Sequence, residues 1–136
     1  MANALYDKAR ESFLKGEIVW GTDDIRAVLV DTATYTVDLV NDQFLSDIPA
    51  GERVATLPST LTSMTTTSGV ADAADITFSS VTGDQSEAVV LYKYNASDAA
   101  ARLIAYIDTA TGLPVTPNGG DITVTWDSGA NKIFKL

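Results

Sequence analysis

From residue 17 onward, turn signals interrupt this chain at intervals of about 8–15 residues. The short runs between them are rich in Val, Ile, Thr and aromatic residues. Such runs are too short for ordinary amphipathic helices and have the composition of strands. "IRAVLVD" (25–31) is almost continuously apolar, which suits a strand covered on both faces. Further strands are expected at "EIVW" (17–20), "TYTVDLV" (34–40), "RVATL" (53–57), "LTSMTTT" (61–67) and "DITFSSV" (75–81). "EAVVLYKY" (87–94), "RLIAYID" (102–108), "DITVTW" (121–126) and "KIFKL" (132–136) complete the set. Turn residues stand at Gly83-Asp84, 95–98, Gly112, 117–120 and 127–131. "NDQFLSDIP" (41–49) predicts one helical turn, begun by Asn41 or Asp42 and ended before Pro49. The expected fold is mainly β: an antiparallel β-sandwich or jelly-roll-like barrel with a short N-terminal helix.

The helix is expected in "NALYDKARESFLKG" (3–16). Asn3 is the expected N-cap and Gly16 the C-terminal left-handed residue. Leu5, Ala9 and Phe13 recur at four-residue spacing, with Tyr6 and Leu14 beside them. With 136 residues, of which 46% are hydrophobic, one domain over 1–136 is expected: a helix or arm at 1–16 and a β-sandwich at 17–136.

Charge and composition narrow the chemistry. The 18 acids against 9 Lys and Arg give a net charge of −9, with the cations scattered. A nucleic-acid backbone or an anionic membrane needs clustered cations, so neither is an expected partner. The absence of His and Cys removes the commonest general base, the commonest metal ligand and all thiolate chemistry. No apolar run approaches the roughly 20 residues of a membrane span, and the opening residues lack a signal-peptide core.

"GGDITVTWDSG" (119–129) brackets an alternating run with two carboxylates. In an extended strand Asp121 and Asp127 stand about 20 Å apart, at ~3.3 Å per residue. A glycosidase pair sits within about 10 Å. These acids are therefore read as strand-end residues beside turns, with Ile122, Val124 and Trp126 on the buried face. "DTATYTVDLVND" (31–42) has the length of a calcium loop, but Ala33, Tyr35 and Thr36 occupy positions that need ligands or glycine. Asp72 and Asp75 in "VADAAD" read as a solvated loop, and "NAS" (95–97) as a turn. Lys93 between Tyr92 and Tyr94 reads as a strand lysine over a sheet face, not a nucleophile. The Ser and Thr residues lack a His partner, and no phosphate loop occurs. No catalytic residue, metal site or cofactor is expected.

Three segments carry a resemblance. "RLIAYIDTATGLPVTPNGGDITVTWDSGANKIFKL" (102–136), the opening "MANALYDKARESFLKGEIVWGTDDIRAVLVDTATYTV" and "DQFLSDIPAGERVA" in the middle resemble small virion structural proteins of tailed bacteriophages. The resemblance implies a non-enzymatic capsid decoration or cement protein, made in the host cytoplasm and located in the virion. It implies the major capsid protein or other virion proteins as partners, and self-association as a homodimer or homotrimer. A tail, baseplate or fibre component is the alternative, including a glycan-binding β-sandwich using Trp20 or Trp126. Within the decoration reading the expected contact residues are Leu5, Tyr6 and Phe13 in the helix, and Thr65, Thr66 and Thr67 in the Thr-rich strand.

Overall fold

A computed structural model describes residues 3–136. The first two residues of the expected N-terminal arm lie outside the described residues. The chain is mainly strands in antiparallel sheets. Its centre is a five-stranded sheet built from β1 (Ala4–Leu5), β2 (Ile25–Val30), β3 (Arg53–Thr56), β6 (Ala88–Lys93) and β7 (Leu103–Ile107), in the order β1-β7-β6-β2-β3.

Register explains why β2, β6 and β7 are apolar without alternation. Ala27 pairs with Leu91 and Leu91 with Ala105, so these three share a face. Val28, Val90 and Tyr106 are aligned in the same way on the other face. Both rows are buried. A strand covered on both sides has no solvent face to code as polar. Each fully buried Val or Leu contributes about 1.5–3 kcal/mol by leaving water, so the three strands dominate the core.

Two small antiparallel ladders complete the β structure: β4 (Val70–Ala71) with β9 (Phe134–Lys135), and β5 (Ile76–Phe78) with β8 (Ile122–Val124). In the second, Ile76, Phe78, Ile122 and Val124 point into the core while Thr77 and Thr123 point out, their hydroxyls 3.1 Å apart. Thr111 extends this ladder by bridging Thr125. The neighbouring Gly112 has φ +104°, and a Cβ there would stand 2.7 Å from the Thr123 carbonyl oxygen. Only glycine fits that turn. The five-stranded sheet ends on β1 and β3 and does not close into a barrel among the described residues, which corrects the barrel alternative.

The N-terminal helix, α1, is shorter than the sequence pattern suggests. It spans Asp7–Leu14, with Tyr6 as N-cap. Residues 4 and 5 form β1 on the edge of β7, and the Tyr6 amide continues the pairing by donating to the Ile104 carbonyl. Asn3 caps no helix. Its side-chain oxygen accepts from the Asp108 and Thr109 amides and anchors the start of β1. Gly16 takes the expected left-handed conformation, φ +72°.

Three expected strands are irregular. Residues 17–20 and 34–40 form no ladder, and 61–67 contributes only a single bridge from Thr65 to Asp72. The helical turn near 41–49 is present as a 3-10 turn at Leu45–Asp47. Its start is organised by Asp47, not Asn41 or Asp42: the Asp47 carboxylate accepts from the Gln43 and Phe44 amides. Arg53 then fastens this turn to the sheet, donating to the Ile48 and Leu45 carbonyls and to Asp98.

The loop at 31–42 wraps the sheet through a buried hydroxyl relay. Tyr35 donates to the Asp42 carboxylate at 2.7 Å. Its single hydroxyl proton is thereby used, so the Tyr6 hydroxyl donates to the Tyr35 oxygen at 2.8 Å. Burial pushes both phenols well above the ordinary tyrosine value, the Asp42 charge adding to the effect.

Candidate functional site

The carboxylates of the acidic motifs bind backbone amides, some within a turn and some across distant segments. Asp121 accepts from the Ser80 amide and Asp127 from the Gly129 amide. Asp31 accepts from the Ala33 amide, and Asp42 from Tyr35 and the Asp38 amide. Asp75 accepts from the Trp126 amide, and Asn95 from the Ser97 amide. Among the described residues no group of three or more acids is placed to hold a metal ion, and no helix is long and apolar enough to cross a membrane. Lys93 is a tether: its ammonium donates to the Glu17 carbonyl at 2.7 Å and lies 3.3 Å from Asp23.

The six expected contact residues separate into three groups. Leu5 and Tyr6 are buried within the subunit, Leu5 in β1 and Tyr6 at the helix start. Neither presents a contact surface, and both are corrected to core residues. The physical reason is the β1–β7 pairing, which turns them toward the sheet instead of along a helix face. Thr65 and Thr67, both exposed, line one hollow of about 210 Å³ with Asp72 and Lys132. Thr66, between them, lines a second hollow together with Phe13.

Phe13 and Thr66 therefore meet in a small apolar groove of about 80 Å³, shared with Trp20, Val70, Phe134 and Leu136. Three aromatic rings build its floor. The Trp20 and Phe134 rings meet edge to face at 5.3 Å between centroids, and Phe13 tilts onto Phe134 at 5.9 Å. Trp20 is fixed from behind by donating its indole N–H to the Asp72 carbonyl. The β4–β9 ladder brings Phe134 to this point, and the Leu136 amide binds the Gly69 carbonyl. The groove is open at Leu136, which is 63% exposed; Leu14, next to Phe13 in the chain, is 89% exposed.

Trp20, Val70 and Leu136 were missed from the sequence as a group. Trp20 carried the one available signal, an aromatic residue before Gly21 without a place in an alternating run. The convergence of four separate segments leaves no local trace.

The glycan-platform expectation fares differently. Both tryptophans are buried, and the indole N–H of Trp126 is bound to the Ala74 carbonyl. Tyr94 is the most exposed aromatic ring among the described residues, and the Arg26 guanidinium already covers it at 3.6 Å. No flat aromatic face is left open for a sugar ring at these positions.

No protein-family model matches this chain, and no curated protein matches it.

Proposed function

We propose that this chain is a non-enzymatic capsid decoration protein that seats on the outer surface of a phage major capsid shell. The observation that carries the reading is the apolar groove of Phe13, Trp20, Phe134 and Leu136, with Leu14 exposed next to Phe13 in the sequence, on a chain of net charge −9. High net charge keeps a small protein soluble and separate, so an apolar contact surface on it serves a specific partner. The partner is the major capsid protein, and the resemblance of the chain's two ends and middle to phage virion proteins gives that direction. In this reading the β4–β9 and β5–β8 ladders are the second layer of a β-sandwich over the five-stranded sheet. The inward Ile76, Phe78, Ile122 and Val124 support that layering. A specific contact needs about 800 Å² per partner, more than the groove alone offers, so the protein acts as a homodimer or homotrimer that multiplies the contact.

Immunogold labelling of intact particles tests this directly. Label spread over the head supports decoration, and loss of label after Leu14→Ser with Leu136→Ser assigns the groove as the contact. Label confined to the tail or its tip overturns the reading in favour of a tail, baseplate or fibre component.

A further inference from the structure

A separate hollow of about 220 Å³ forms where the start of β7 meets the 43–45 segment. Phe44 bridges Arg102 there, and the Leu45 and Leu103 amides lock the two segments together. The hollow is lined by Glu17, Ile18, Phe44, Lys93, Tyr94 and Arg102, among others. The Arg102 guanidinium lies over the Phe44 ring, 4.4 Å from its centroid.

Arg102 differs from the cations around it. Arg26 is held by Asp24, Arg53 by Asp98 and Lys93 by Asp23. Arg102 has no ion pair or side-chain hydrogen bond among the described residues, and its Nη1 is buried without an acceptor. A guanidinium without an anionic partner is uncompensated, and a carboxylate meeting the part of it that lines the hollow supplies that partner. The contact with the Phe44 ring restrains the guanidinium before a ligand arrives.

We propose that this hollow binds a carboxylate, with Arg102 as the primary ligand-binding residue. The charge balance selects a monoanion. Lys93 is paired with Asp23, whereas Arg102 has no paired carboxylate, and Glu17 on the lining repels a dianion more strongly than a monoanion. The planar guanidinium fork matches the two oxygens of a carboxylate. Ile18 and Phe44 supply an apolar wall for the carbon bearing it. The inference is independent of the capsid reading, because it concerns different residues and a test on the purified chain.

The test follows the Arg102 Nε–H resonance by nitrogen-15 NMR while acetate is added, with chloride at equal ionic strength as the blank and inorganic phosphate as the dianion. Acetate is expected to give a saturating shift, phosphate a weaker one and chloride none. Arg102→Lys keeps the charge and loses the fork, and is expected to weaken acetate binding, followed through the Tyr94 amide, at least about tenfold. Arg102→Gln is expected to abolish it; if that variant does not fold, the lysine variant carries the test. A glutamate-containing peptide that binds tighter than acetate assigns the site to an acidic side chain of a partner chain. Equal binding assigns it to small free acids. A chloride shift equal to that of acetate, tighter phosphate binding, or an unweakened Arg102→Lys variant overturns the proposal.

Discussion

The central strands and the corner formed by β4 and β9 use the same kinds of residue in opposite ways. In β2, β6 and β7, long stretches of backbone are paired and side chains are buried on both faces. In the corner two residues pair with two, and the aromatic rings of Phe13, Trp20 and Phe134 meet at a groove open to solvent. A long ladder with two covered faces leaves nothing over for a partner. A short ladder held by ring contacts keeps apolar surface available. The contrast puts stability in the sheet, and the proposed function puts recognition at the corner; that division can be tested.

The largest effect is expected in the sheet. Leu91→Ala removes a fully buried side chain and should cost about 3 kcal/mol, read as a lower urea midpoint. A cost below about 1 kcal/mol would mean that the centre is loosely packed and would break the comparison. Deleting 132–136 removes the buried Ile133 and the Phe134 ring contacts. It should lower the melting temperature by less than Leu91→Ala does and abolish shell binding. An unchanged melting temperature and unchanged binding would refute the role given to β9.

Tyr35→Phe tests the loop that joins the two regions. It removes the hydroxyl between Tyr6 and Asp42 and strands the buried Tyr6 donor, at a cost of about 1–3 kcal/mol. Tyr6→Phe removes only the end of the relay and should cost less. The pH dependence has a definite sign. Both phenols titrate higher in the folded state than their ordinary value of 10.0, so the unfolded chain loses protons first. Stability is full below pH 10 and falls as the pH rises above it. Alkaline urea melts should show that fall in the wild type and a flatter profile in Tyr35→Phe.

The smallest stability effect belongs to the corner's rim. Leu14→Ser with Leu136→Ser should change stability by about 0.5 kcal/mol or less, because both side chains are exposed. The same pair should weaken shell binding at least about tenfold, measured by co-sedimentation. Equal losses in folding and binding would return these residues to a structural role.

The central sheet is legible in the sequence because its strands need no polar face. "IRAVLVD", "EAVVLYKY" and "RLIAYID" each contain a strand close to its expected place. The expected strand at 61–67 keeps only the Thr65–Asp72 bridge, and the one at 34–40 fails for a physical reason. Tyr35, Val37 and Leu39 do alternate with polar residues, and Tyr35 is buried. A loop laid across a core alternates in and out as a strand does. What it lacks is a neighbouring backbone, and the pattern carries no record of that. The helix pattern in 3–16 fails at its start because the edge of β7 claims residues 4 and 5. Of the expected contact residues, Phe13 and Thr66 line the groove, while Leu5 and Tyr6 are buried in the subunit.

The sequence by itself determined the composition of the strands, most of their turns, the acidity of the chain and the place of Asp121 and Asp127 at strand ends beside turns. These follow from local alternation, backbone preference and net charge, which neighbouring residues settle among themselves. Tertiary structure alone decided which strands pair, that Tyr6 donates to Tyr35, that Phe13, Trp20, Phe134 and Leu136 meet, and that Arg102 is left without a carboxylate. Each of these depends on segments far apart in the chain arriving at one place, and no local preference encodes where a distant segment will lie.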